Sequence, residues 1–136
     1  MTGGRPDRGP ASHAPASRAL TFDDVRALAA ALPGVEVGTS YGTPALKAGG
    51  KAFARLWEDG TTLVLKVPFV VRDHLLATAP AAYFVTDHYR GYPAVLVRLA
   101  AAAPGPLGEL LAEAWRQVAP KRLVREFDAR RPGPAA

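Results

Sequence analysis

Five cationic side chains, Lys47, Lys51, Arg55, Lys66 and Arg98, fall on segments whose apolar residues recur with a period of two. The only acid on those segments is Glu36. Long cationic side chains on one face of a sheet could meet the phosphates of a nucleic acid. They could equally be solvated positions that discourage edge-to-edge strand pairing. A second group is Pro120-Lys121-Arg122-Leu123-Val124-Arg125. It places three cations in the first turns of a helix, where the helix dipole disfavours them unless an anion sits nearby. Glu126 and Asp128 could instead partly neutralise that turn. The third group is the loop Asp87-His88-Tyr89-Arg90-Gly91-Tyr92-Pro93. Aromatic and cationic groups on a glycine-containing loop suit ring stacking and anion contact, or a binding loop of another kind. Together with Tyr41, the residues His88, Tyr89, Arg90 and Tyr92 form an alternative candidate, a pocket for a small molecule or a protein. Tyr41-Gly42-Thr43-Pro44 reads first as a turn with Tyr41 packed beside it.

Enzyme templates fit poorly. The three serines, Ser12, Ser17 and Ser40, lie outside any nucleophile elbow. Gly49-Gly50-Lys51 precedes a strand and lacks phosphate-loop spacing. His74 and His88 have no carboxylate pair at helical spacing beside them, and His13 lies near the N-terminus. No catalytic residue, cofactor or metal ligand set is therefore expected.

The chain has 136 residues and a formal net charge of +5. Hydrophobic residues are 49% of it, but 27 are Ala, so larger apolar side chains suffice for one modest core. The positive excess lies at the ends, because residues 21–116 hold nine basic and nine acidic residues. Placement of charge, rather than its total, therefore decides the partner. The chain has no Cys, which excludes disulfides and thiol chemistry and suits the cytoplasm. It has no apolar run of membrane-spanning length, and Arg5, Arg8 and Arg18 precede no leader-like apolar segment.

The elements that must position these groups follow from periodicity. Residues 1–19 and 131–136 are rich in Gly, Pro, Ala and Arg and are expected to be disordered basic tails around one domain, 20–130. Thr21 and Asp24 form a capping-box pattern for a helix carrying Phe22, Val25, Leu28, Ala29 and Leu32. Strands are predicted at Val35–Val37, Pro44–Ala48, Lys51–Trp57 and Thr61–Val67, joined by short turns that make them antiparallel. A helix follows at Phe69–Ala77, with Val70, Leu75 and Leu76 expected to pack. Two more strands are predicted at Tyr83–Thr86 and Ala94–Leu99. Leu107, Leu110, Leu111, Ala114, Trp115 and Val118 define the strongest helix, and Pro120 opens the last one. The order α-β-β-β-β-α-β-β-α-α predicts an α+β domain, an antiparallel sheet packed by helices on one face.

The order of short motifs resembles the MmcQ/YjbR family of small bacterial proteins. The resemblance rests on Leu20-Thr21-Phe22-Asp23-Asp24-Val25, Leu32-Pro33-Gly34-Val35 and Thr39 to Lys47. It continues through Lys51 to Leu56, Leu63 to Val67, Phe84 to Tyr89 and Trp115 to Val124. It implies a YjbR-like fold akin to the CyaY (frataxin-like) fold, and DNA binding through a double wing of β-hairpins. Many relatives carry Asn and Lys before a His-Trp pair where this chain has Thr86-Asp87-His88-Tyr89. Frataxins use an acidic ridge on the first helix. That helix here offers Asp23 and Asp24 against Arg26, so iron is not expected. The expectation is a non-enzymatic, cytoplasmic DNA-binding protein. Its phosphate contacts would be Lys47, Lys51, Arg55, Lys66, Arg98, Lys121, Arg122 and Arg125.

Overall fold

Thr21 and Asp24 cap the first helix reciprocally. The Asp24 backbone N–H donates to Thr21 Oγ1 at 3.3 Å, and the Thr21 N–H donates to Asp24 Oδ2 at 2.8 Å. A computed structural model describes residues 19–130, and the tails expected at either end fall outside the described residues except for Ala19. Helix α1 is Phe22–Leu28 and buries Val25. A four-strand meander follows, with β1 at Glu36–Ser40, β2 at Thr43–Ala48, β3 at Lys51–Leu56 and β4 at Thr62–Lys66. Helix α2 (Phe69–Thr78) leads to β5 (Tyr83–Phe84), a 3₁₀ turn (Asp87–Tyr89) and β6 (Ala94–Arg98). Helices α3 (Pro104–Val118) and α4 (Lys121–Arg130) complete the described residues.

The six strands form one antiparallel sheet in the order β1-β2-β3-β4-β6-β5. The chain therefore leaves β4, builds α2 and the short β5, and returns through β6 into the gap beside β4. All four helices contribute to a single core. Val25 and Trp115 lie at its centre, Val71 and Leu75 enter from α2, and Leu123 and Phe127 from α4. Trp115 is fully buried, and its indole N–H donates to the Pro33 carbonyl at 2.9 Å. That bond satisfies the polar edge of a ring that otherwise supplies apolar area. Helix α4 is clamped to α3 by the Arg116–Asp128 pair, with Nη1 3.0 Å from Oδ2, and by the edge of Phe127 against Trp115.

The pairing of β2 with β3 slips between Leu46↔Ala54 and Lys47↔Ala52. The extra residue on β3 is Phe53, so the neighbours Phe53 and Ala54 are both buried although strand residues normally alternate. C-terminal to this bulge, register places Arg55 opposite Val64 and Val64 opposite Leu96. At two-residue spacing the same face carries Lys66, Ala94, Thr62 and Arg98. This is the open face, away from α1 and α3.

Three local expectations change. Val70 is 75% exposed and Val71 packs instead, because Val71 and Leu75 share the inward face of α2 at four-residue spacing. Arg72, from the same helix, is buried and donates to the carbonyls of Arg90 and Tyr92 at 2.8 and 3.3 Å. The first strand is Glu36–Ser40 rather than Val35–Val37, because the turn is confined to Tyr41-Gly42 and the expected turn residues Thr43 and Pro44 already pair with Ser40 and Thr39. Both loop residues have positive φ, +53° and +79°, as a tight hairpin of that kind needs. Tyr41 is consequently 86% exposed rather than packed.

Candidate functional site

Arg55 leaves β3 on the open face, and both of its terminal nitrogens are held by the fold. Nη1 lies 3.2 Å from Thr43 Oγ1, 3.3 Å from the Leu56 carbonyl and 3.4 Å from Glu58 Oε2. Nη2 donates to the Tyr89 hydroxyl at 2.9 Å. The Tyr41 ring covers the guanidinium, 5.0 Å from ring centre to Cζ. The residue is 8% exposed.

Tyr89 carries this network into the 87–93 segment. Its ring meets His88 edge-on at 4.9 Å and Tyr92 at 6.3 Å, and His88 and Tyr92 lie 5.9 Å apart. Arg72 holds the far end of the segment through the Arg90 and Tyr92 carbonyls. Between Tyr41 on one side and His88, Tyr89 and Tyr92 on the other runs a groove of about 660 Å³. Ala52, Val64 and Ala94 line it too, with Glu58 and Lys66 also on its wall. Arg90 does not line it. Its side chain is exposed and paired with Asp87 at 3.3 Å.

The remaining predicted cations fall into two groups. Arg98 lies over the Phe84 ring at 4.0 Å, and its Nη1 donates to the Pro80 and Ala81 carbonyls. The others gather elsewhere. The Gly49-Gly50 tip of the β2–β3 hairpin abuts the junction of α3 and α4, such that a Cβ on Gly49 would stand 3.2 Å from Pro120 Cδ. Gln117 Nε2 donates to the Lys66 carbonyl at 3.1 Å, which brings the end of β4 to the same junction. Lys51 flanks the hairpin tip opposite Ala48, Lys121 and Arg122 begin α4, and Lys66 ends β4. Lys47 enters from β2, its stem lying across Gly38 and its Cα opposite Glu36. Arg125 follows on the exposed side of α4.

Among the described residues, Arg26, Arg55, Arg72, Arg90 and Arg116 each sit within 4.0 Å of a carboxylate. Lys47, Lys51, Lys66, Lys121, Arg122 and Arg125 make no such ion pair. Of the eight predicted phosphate contacts, seven have no carboxylate partner among the described residues; Arg98 is one of these but is tied to backbone carbonyls and the Phe84 ring, and Arg55 is held by the fold. Trp57, Glu58 and Val64 of the groove were not singled out by the sequence. Arg72 was missed as well, though an arginine inside Phe69-Val70-Val71-Arg72 is the signal that could have found it.

Among the described residues no three His, Asp or Glu side chains come together as a metal site, and no helix is long and apolar enough to cross a membrane.

Known proteins bear on this arrangement at two levels. A stretch of 57 residues is 53% identical to the uncharacterized proteins Rv2570 of Mycobacterium tuberculosis and Mb2600 of Mycobacterium bovis. It covers 42% of this chain and 44% of either relative, so less than half of their length is matched. The crystal structure of Deinococcus radiodurans protein DR2400, a DUF419 domain, superposes with a TM-score of 0.64 at 24% identity. The superposition covers 81% of this chain and 89% of that one, and the likeness is one of fold. The YjbR family model matches residues 30–117, from the turn after α1 through most of α3, and the chain belongs to the YjbR family.

Proposed function

We propose that this domain is a non-enzymatic DNA-binding protein that grips the phosphate backbone at the end of the sheet where the β2–β3 hairpin meets the α3–α4 junction. One observation carries this reading. Cations supplied by β2, β3, β4 and α4, elements far apart in sequence, gather at one end without carboxylate partners among the described residues, although residues 21–116, which hold the strands, are neutral as a whole. Such groups stay hydrated and carry condensed-anion positions that a polyanion can take over, releasing its own counterions.

In this reading Lys51, Lys121 and Arg122 make the central contacts, with Lys47, Lys66 and Arg125 around them. The hairpin tip acts as a wing lying along the backbone. Arg55 is assigned to the fold rather than to phosphate because both of its terminal nitrogens are engaged by protein acceptors, and Arg98 because it lies on the Phe84 ring with Nη1 bonded to two carbonyls. Contacts of this kind position a protein on DNA without reading sequence, so little base selectivity is expected from them.

The test is a salt titration of binding to labelled DNA, followed by fluorescence anisotropy. The logarithm of affinity should fall against the logarithm of salt with a slope of roughly −0.9 per phosphate neutralised, about −5 for six contacts on a duplex. A slope near zero overturns the proposal.

A further inference from the structure

The groove presents Tyr41, His88, Tyr89 and Tyr92, aromatic side chains that the backbone contacts leave unused, and the placement of Tyr41 is costly. Tyr41 stands at a left-handed position, φ +53°, in a hairpin loop that Asn or Gly would occupy without strain. It is also 86% exposed, where an aromatic ring gains nothing from burial. Neither turn formation nor core packing accounts for a tyrosine there. Its ring is nonetheless held in place, because the Arg55 guanidinium supports it from below and is itself fixed by four protein acceptors. The same guanidinium holds Tyr89, which orders His88 and Tyr92 on the facing wall. One buried arginine therefore braces both walls of a slot lined by flat rings, with small apolar side chains, Ala52 and Ala94, between them.

The slot is of a size that takes a small planar ligand, within the 300–1,000 Å³ common for such sites. Lys66 lines the slot and ends β4 beside the α3–α4 junction, so slot and basic end are continuous. A planar group bound there and attached to a phosphate chain would find both ring faces and cations in sequence. A base inside a duplex has its faces covered by its neighbours and cannot offer them to a tyrosine. An unpaired base can.

Resting on the DNA-binding reading, we infer that the strand engaged is unpaired: a base enters the slot between Tyr41 and the Tyr89–Tyr92 wall while the adjoining phosphates run past Lys66 onto the basic end. Arg55 is then a positioning residue for the two walls.

The experiment compares a short oligothymidine with a duplex of equal length by anisotropy, for the full chain and for Tyr41→Asn and Tyr92→Leu. Tyr41→Asn suits the left-handed turn and keeps the fold while removing the ring. The single strand should bind more tightly than the duplex, and each variant should lose roughly tenfold for the single strand, as expected for one lost stacking partner. The slope against salt should stay unchanged in both variants. Trp57 lines the slot while Trp115 is sealed in the core, so quenching of the more exposed tryptophan on binding gives a second readout. Equal affinity for both DNA forms, with no effect of Tyr41→Asn and a steep salt slope, overturns this inference and leaves the backbone reading standing. A flat salt slope for both forms overturns both. Saturable binding of free thymidine monophosphate in the slot, without salt-sensitive binding of either DNA, also overturns both in favour of a small-molecule pocket.

Discussion

Lys51 and Arg55 lie four residues apart on one strand and finish in opposite states. Arg55 is 8% exposed, is bonded to a threonine, a carbonyl, a glutamate and a tyrosine, and holds two walls of a groove together. Lys51 is exposed at a hairpin tip, with no carboxylate within 4.0 Å among the described residues. The same contrast separates the groove from the basic end as regions. In the groove, positive charge is spent on building a shape. At the basic end it is left in solvent. A cation's availability is thus set by which acceptors the fold delivers to it, not by its residue type or its place in a strand pattern. Burial of a guanidinium is tolerable only when its donors are met, and Arg55 meets that condition while Lys51 never has to.

The largest expected effect breaks the basic end. Lys51→Glu, Lys121→Glu and Arg122→Glu together should lower DNA affinity by on the order of 100-fold at low salt, since each change removes a proposed phosphate contact and adds a repulsive charge. Stability measured by urea unfolding should move by less than about 0.5 kcal/mol, because all three side chains are exposed. A large loss of stability would show that these residues support the fold and would erase the distinction between the two regions.

Arg55→Met tests the other side. It keeps the length of the side chain but leaves the Tyr89 hydroxyl and Thr43 without their partner, and should cost about 1–3 kcal/mol in urea unfolding. The salt slope of DNA binding should not change. A flattened slope would return Arg55 to the phosphate contacts.

Gly49→Ala sharpens the junction. Gly49 has φ +60°, and a Cβ there would crowd Pro120 at 3.2 Å. The left-handed backbone alone costs about 1–2 kcal/mol for an L-residue. The unfolding midpoint should fall, and DNA affinity should weaken with it because the hairpin no longer seats against α4.

The smallest effect is one of pH and concerns the turn between β3 and β4, at the groove's acidic side. Slight burial pushes the Asp59 carboxyl up. Hydrogen bonds from the Thr61 and Thr62 backbone N–H groups and the Thr62 hydroxyl, at 3.0, 3.0 and 2.7 Å, outweigh that and hold it below the ordinary carboxylate range. Because its proton is held less tightly in the folded state, its contribution is present above the unfolded value near 3.8 and disappears as pH falls through the folded one. A stability profile between pH 6 and pH 2 should therefore decline less in Asp59→Asn than in the parent chain. Asp59 is committed to this turn, and its neighbour Glu58 is the acid that reaches Arg55.

Much of the architecture was legible before any coordinates. The capping box at Thr21, the 3.6-residue stripe ending in Trp115 and the glycine turns each rest on neighbours within a few residues, where local physical chemistry decides the outcome. The chain's failures as a text are equally specific. Tyr41 was expected to pack, but the two-residue hairpin that throws it outward depends on how β1 aligns with β2. Val70 and Val71 are indistinguishable by composition, and only the docking of α2 chose between them. The bulge at Phe53 breaks the alternation that sequence reading assumes.

The sequence by itself determined the helices, the antiparallel meander, the α+β class, and the presence of surplus cations on strands and on α4. The tertiary structure alone decided which of those cations were surplus in fact. Whether a guanidinium faces a tyrosine hydroxyl 34 residues away or open solvent depends on strand register, on the crossover that inserts β6 between β4 and β5, and on the hairpin that lands beside Pro120. Those are long-range contacts. The free energy of a charge is fixed by everything within a few ångströms of it, and no stretch of chain carries that neighbourhood within itself.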